Sequence, residues 1–138
     1  MKTIITILFA KLVRTRNKKW ISSPIKWQKK TFNKLISSAS NTSFGKDHGF
    51  SEIVSYEDFK KKVPVRDYEG LKPYVDKVVT GEKNILWPGQ PLYFAKTSGT
   101  TSGAKYIPIT RESIRTHVNS ARDALLNYFL FFHPMYRL

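Results

Sequence analysis

The chain has 138 residues, no cysteine and a formal net charge of +14. Its length suits one domain of ordinary size. The lack of cysteine excludes a disulfide framework and a thiol nucleophile, as fits a reducing cytosol. The charge is uneven: residues 1–46 carry eleven Lys and Arg and no acid, while the remainder carries thirteen basic and ten acidic residues, a net of +3. Such a basic segment suits nucleic acid, an anionic lipid surface, or acidic surface elsewhere in a larger chain. No RNA-binding signature accompanies it, and Trp20 and Trp27 stand at helical rather than stacking-platform spacing, which favours the last reading. His48, His117 and His133 are scattered without metal-site spacing and read as surface or hydrogen-bonding residues.

In chain order, the first thirteen residues pair a charged start at Lys2 with an apolar run from Ile4 to Ala10. No small-x-small cleavage site follows, and Lys11, Arg14, Arg16, Lys18 and Lys19 come directly after, which argues against a cleaved signal. The run is also too short to cross a membrane, which takes about 18 apolar residues. The expectation is a short helix docked on the protein body. A basic amphipathic helix on a membrane surface and an uncleaved signal are the alternatives.

Ser22-Ser23-Pro24 opens a second helix, with Ser23 as N-cap and Pro24 at the first helical position. Trp27, Thr31 and Leu35 recur at i, i+4 and i+8, with Phe32 and Ile36 beside them, so this face is the expected core stripe. Asn41 to Gly49 reads as a loop whose Gly45 and Gly49 suit positive-φ turns. Ser55-Tyr56-Glu57-Asp58 is a capping-box pattern for a short helix that Pro64 ends. Asp67 caps a further helix running to Gly81, with a break or restart expected at Pro73. The acidic pairs at these helix starts answer the helix dipole and are not assigned acid–base chemistry. Glu82 to Gln90 is a loop turning at Trp87-Pro88-Gly89.

Pro91-Leu92-Tyr93-Phe94-Ala95 reads as a strand and Lys105–Ile109 as a second, forming a hairpin. Between them lie Thr97, Ser98, Gly99, Thr100, Thr101, Ser102 and Gly103. Backbone N–H groups in such a turn can converge on an anion, hydroxyls add donors, and Lys105 adds a point charge suited to phosphate. A plain polar surface turn is the competing reading. The phosphate loop of NTPases is excluded, because Gly99 and Gly103 are one residue too close and Lys105 does not follow Gly103 directly. Thr110 then caps a long helix whose apolar stripe is Ile114, Val118, Ala121, Leu125, Tyr128 and Phe132.

The stretch Thr97-Ser98-Gly99-Thr100-Thr101-Ser102-Gly103-Ala104-Lys105 resembles the phosphate-binding loop of adenylate-forming enzymes. Its extra Ser102 before the second glycine, and the absence of a Pro-Lys-Gly ending, make it similar to the GH3 family of acyl-acid amido synthetases. The flanking blocks Phe44-Gly45-Lys46-Asp47-His48-Gly49-Phe50, Ser55-Tyr56-Glu57-Asp58-Phe59, Val63-Pro64-Val65-Arg66-Asp67-Tyr68-Glu69 and Leu86-Trp87-Pro88-Gly89 agree in the same order. The resemblance implies an α/β adenylate-forming fold, of which this chain is an α+β fragment: a basic helical segment over 1–40, then the incomplete start of an adenylation domain over 41–138. It implies an ATP- and Mg²⁺-dependent cytoplasmic ligase. Such an enzyme joins a small-molecule carboxylic acid to an amino acid, with neither nucleic acid nor stable membrane insertion expected. The adenine motif, most of the acyl pocket and a C-terminal domain are expected beyond Leu138, so the fragment alone is expected to be inactive. Thr97, Ser98, Gly99, Thr100, Thr101, Ser102, Gly103 and Lys105 are the expected phosphate-binding residues. An acyl-CoA ligase, or a basic lipid- or nucleic-acid-binding module, are the alternatives.

Overall fold

A computed structural model describes residues 2–97 and 103–132. The element order is α1 (Lys2–Ile21), α2 (Pro24–Ala39), α3 (Ser43–Asp47), a 3-10 turn (Phe50–Glu52), α4 (Tyr56–Lys62), α5 (Tyr68–Val79), β1 (Tyr93–Thr97), β2 (Lys105–Ile109) and α6 (Arg111–Phe132). The fold is α+β: mostly helical, with one small antiparallel sheet. The chain divides into two compact units, residues 1–29 with 112–138 and residues 30–111.

In the first unit α1 is far longer than the short helix expected. Lys11 to Trp20 holds neither Gly nor Pro, and its Lys, Arg and Leu are good helix formers. Lys18 and Lys19 fall in the last turn, where the dipole favours cations. Ile7, Ala10, Val13 and Asn17 form its buried stripe. Asn17 is satisfied there, donating to the Asp123 carboxylate at 3.2 Å, and Arg16 donates to the same oxygen at 2.8 Å. Burial would raise the Asp123 carboxyl, but hydrogen bonds from Arg122, Asn17 and Arg16 more than offset it and hold the pKa below its usual value. α2 begins at Pro24 as the sequence indicates, with the Ser23 carbonyl accepting the Trp27 N–H at 3.2 Å.

The apolar stripe read on α6 is turned outward from Val118 on, with Ile114 half-buried. Val118, Leu125, Tyr128 and Phe132 are exposed, whereas Asn119, Arg122, Asp123, Leu126, Phe129 and Leu130 are sheltered. The polar pairings of Asp123 with α1 set the rotation of the helix, and they override the 3.6-residue apolar periodicity.

The second unit has a core of Ile36, Ala39, Phe50 and Ile53, with Phe32, Phe44, Phe59, Val63 and Trp87 packed against it. On α2 the buried stripe is therefore Phe32-Ile36-Ala39: of the expected face, Phe32 and Ile36 meet the core, while Thr31 and Leu35 are exposed. Phe32 meets Tyr56 and Phe59 edge-on at 6.3 and 5.8 Å, which selects that face.

The loop expected over Asn41–Gly49 contains α3. Thr42 caps it: its hydroxyl accepts the Gly45 N–H at 3.0 Å and donates to the Ala39 carbonyl at 2.7 Å. The Asn84 and Ile85 carbonyls accept the N–H groups of Ser43 and Phe44, so the first turn is satisfied by a distant loop that no local pattern reveals. Gly49 does take a positive φ of 60°, but Gly45 does not. Gly45 is required for space, since a Cβ there would lie 2.0 Å from the Ala39 carbonyl oxygen.

Ser55 and Asp58 close the expected capping box on α4, and the Ser55 hydroxyl holds the half-buried Asp58 carboxyl below its usual pKa. Asp67 caps α5 through the Gly70 N–H at 2.9 Å. α5 runs unbroken through Pro73, against the expected restart. Pro73 is the sixth residue of α5, in its second turn, where its missing N–H costs one intrahelical bond, and burial of Val75 and Val78 holds the later turns. The 82–90 loop is drawn together by Asn84, whose N–H donates to the Gly89 carbonyl at 3.0 Å and whose side-chain oxygen accepts the Gly89 N–H at 2.7 Å.

Candidate functional site

The hairpin pairs Tyr93 with Ile109, Ala95 with Ile107 and Thr97 with Lys105. Strand β2 has the predicted bounds, and β1 is shifted two residues toward the loop. Ladder hydrogen bonds run through these odd-numbered pairs, because Pro108 has no N–H and the Tyr106 N–H is engaged elsewhere. It donates to the Tyr68 hydroxyl at 2.9 Å. The outward edge of β2 is thus closed at both even positions, one by proline and one by a phenol from the first residue of α5.

Thr97 and Lys105 are the last register pair, so residues 98–104 connect the strands. Of the predicted site residues, Ser98, Gly99, Thr100, Thr101 and Ser102 lie outside the described residues, as does His133. Thr97 ends β1 and is exposed, Gly103 has a φ of 82° with open space on its Cβ side, and Lys105 opens β2 half-buried. The Lys105 ammonium stands 5.4 Å from the centre of the Tyr68 ring. One aromatic side chain therefore fixes both the edge of β2 and the charge at its start. No local pattern marks Tyr68, since its partners lie 37 and 38 residues away.

Chemically, the mouth of this connection offers an exposed hydroxyl at Thr97, a positive-φ glycine open to solvent and a braced ammonium. That donor set suits an anion. Among the described residues no group of three His, Cys, Asp or Glu is placed to hold a metal ion. His48 is buried and stacks on Phe44 at 4.0 Å, its Nδ1–H donating to the Phe44 carbonyl at 2.7 Å, which makes it part of the core. No described helix is long and apolar enough to cross a membrane.

A hairpin with a hydroxyl- and glycine-rich connection ending in a braced lysine, set after capped helices, defines a candidate anion-binding module. The model of the GH3 family N-terminal domain matches residues 14–135, and the chain belongs to the GH3 family. Indole-3-acetic acid-amido synthetase GH3.3 of Arabidopsis thaliana is 32% identical over 79 residues, which cover 56% of this chain and 13% of that protein. Indole-3-acetic acid-amido synthetase GH3.15 of the same plant is 37% identical over 68 residues, 48% of this chain and 11% of its own length. Jasmonoyl-L-amino acid synthetase GH3.5 of Oryza sativa subsp. japonica is 26% identical over 99 residues, 70% of this chain and 17% of that protein. The chain thus spans less than a fifth of the length of these relatives.

Proposed function

We propose that this chain forms the first part of an ATP-dependent ligase that activates a carboxylic acid as an acyl-adenylate and passes it to an amino acid. Membership of a family whose named relatives are amido synthetases supports the ligase class. The observation that carries the phosphate-binding reading is the closing pair Thr97–Lys105 with Lys105 held against Tyr68. A carboxylate oxygen attacks the α-phosphorus of ATP and pyrophosphate leaves; the amine then attacks the acyl carbon and AMP leaves. The first transfer asks for positioning and charge neutralisation more than for covalent chemistry. In this reading Thr97, Ser98, Thr100, Thr101 and Ser102 donate to the β- and γ-phosphate oxygens. Gly99 and Gly103 let the backbone approach them, and Lys105 offsets their charge. Mg²⁺ arrives with the nucleotide, as suits an ion that keeps most of its waters and is commonly bound through substrate phosphates.

Acid-dependent exchange of pyrophosphate into ATP by the complete polypeptide tests this. Exchange with a panel of aromatic and aliphatic acids is expected. A folded protein that catalyses none, yet forms acyl-CoA, would move it to another adenylate-forming class.

A further inference from the structure

Helix α1 is apolar on two opposite sides over its first three turns. Ile7, Ala10 and Val13 are buried against the protein, and the other side presents Ile4, Ile5, Leu8 and Leu12 at 60%, 66%, 57% and 69% exposure. The polar face of an ordinary amphipathic helix is missing here. Its polarity runs along the axis instead, because the later turns carry Arg14, Arg16, Lys18 and Lys19. α1 itself carries no acid, so a surface that covers this apolar face meets cations along the same helix. The four apolar residues also precede residue 14, where the match to the family domain begins. Spanning is excluded for this helix, which is too short in apolar length and too charged.

We propose that α1 is a docking surface for an anionic lipid bilayer. It lies in the interfacial plane with Ile4, Ile5, Leu8 and Leu12 among the acyl chains and Lys18 and Lys19 of its last turn at the headgroups. Charge complementarity selects this occupant: apolar contact alone would serve any protein groove, but bulky aliphatic residues on an acid-free cationic helix match acidic headgroups over hydrocarbon.

The test is co-sedimentation of the complete polypeptide with vesicles of phosphatidylserine and phosphatidylcholine, against vesicles of phosphatidylcholine alone. Binding to the anionic vesicles is expected, weakening as salt rises. Leu8→Glu/Leu12→Glu is expected to weaken it roughly tenfold or more, without lowering the thermal midpoint, because both side chains are exposed. Lys18→Glu/Lys19→Glu is expected to weaken it and to flatten its salt dependence. Absence of wild-type binding would overturn the proposal. So would binding by Leu8→Glu/Leu12→Glu equal to wild type, which would mark simple charge adsorption of the kind nucleic acid also shows. A fall in thermal midpoint for that variant would overturn it as well, since another part of the protein would then cover the face.

Discussion

The Tyr68 hydroxyl accepts the backbone N–H of Tyr106 at 2.9 Å while the Tyr68 ring lies 5.4 Å beneath the Lys105 ammonium. One side chain at the start of α5 thus holds two consecutive residues at the start of β2. A two-stranded hairpin is marginal alone. Its strand β1 is exposed throughout, so the contacts of β2 with α5 decide whether the 97–105 connection has a fixed base.

Replacing Tyr68 separates its two duties. Tyr68→Phe keeps the ring under Lys105 and removes the acceptor, and it is expected to cost about 0.5–1.5 kcal/mol of stability. Amide hydrogen exchange at Tyr106 should accelerate, while exchange at Ile107 and Ile109, inside the β1–β2 ladder, should change less. Equal protection at Tyr106 in both proteins would mean that its N–H has another acceptor.

Thr42 and Gly45 hold α3 in place for different reasons. Thr42→Ala removes a side chain that is 1% exposed and makes two hydrogen bonds, and should cost about 1–2 kcal/mol. Gly45→Ala forces a methyl into the Ala39 carbonyl, and a loss of about 1–3 kcal/mol is expected, as for overpacking. Denaturant unfolding of each variant measures both. A neutral Gly45→Ala would show that α2 and α3 have room to separate.

Acid should weaken the first unit through Asp123. Its folded-state pKa is depressed, so the stability it supplies is present above the unfolded value, about 3.9, and is lost as pH falls through the folded value. Asp123→Asn is expected to be less stable than wild type at neutral pH and to lose less on going to acid. Titration of circular dichroism from neutral pH to below about pH 3 reads the difference. Parallel acid curves would show that other carboxylates govern the transition.

Much of this architecture is legible in local chemistry. Ser55 with Asp58, Asp67 before α5, Pro24 after Ser23 and the strand over Lys105–Ile109 are all signals within four or five residues, and each sits where its pattern indicates. The misreadings share another cause. α3 depends on carbonyls of Asn84 and Ile85, some forty residues on, and the rotation of α6 depends on Arg16 and Asn17 meeting Asp123 across more than a hundred residues. At the site, the glycine and hydroxyl run and Lys105 could be read from sequence, but the bracing by Tyr68 could not, because it joins a helix start to a strand edge.

The outward stripe of α6 makes a further prediction. Leu125 is 71% exposed, so Leu125→Glu should shift the stability of this chain by no more than about 0.5 kcal/mol. In a polypeptide of the relatives' length the same change is expected to destabilise by more than that, since the apolar stripe then has further protein to meet. Thermal unfolding of both forms compares them. Equal tolerance in the longer protein would mean that the stripe stays in solvent.

The most direct measurement is acid-dependent ATP–pyrophosphate exchange by the complete polypeptide with Lys105 intact and with Lys105→Ala. A charge-assisted hydrogen bond is worth on the order of 1.5–3 kcal/mol. Its loss at the phosphates should slow exchange roughly ten- to hundredfold, while Tyr68, the hairpin pairing and the circular dichroism spectrum remain as in wild type. An unchanged exchange rate in the folded variant would contradict the account, because Lys105 would then stand over Tyr68 without serving the nucleotide.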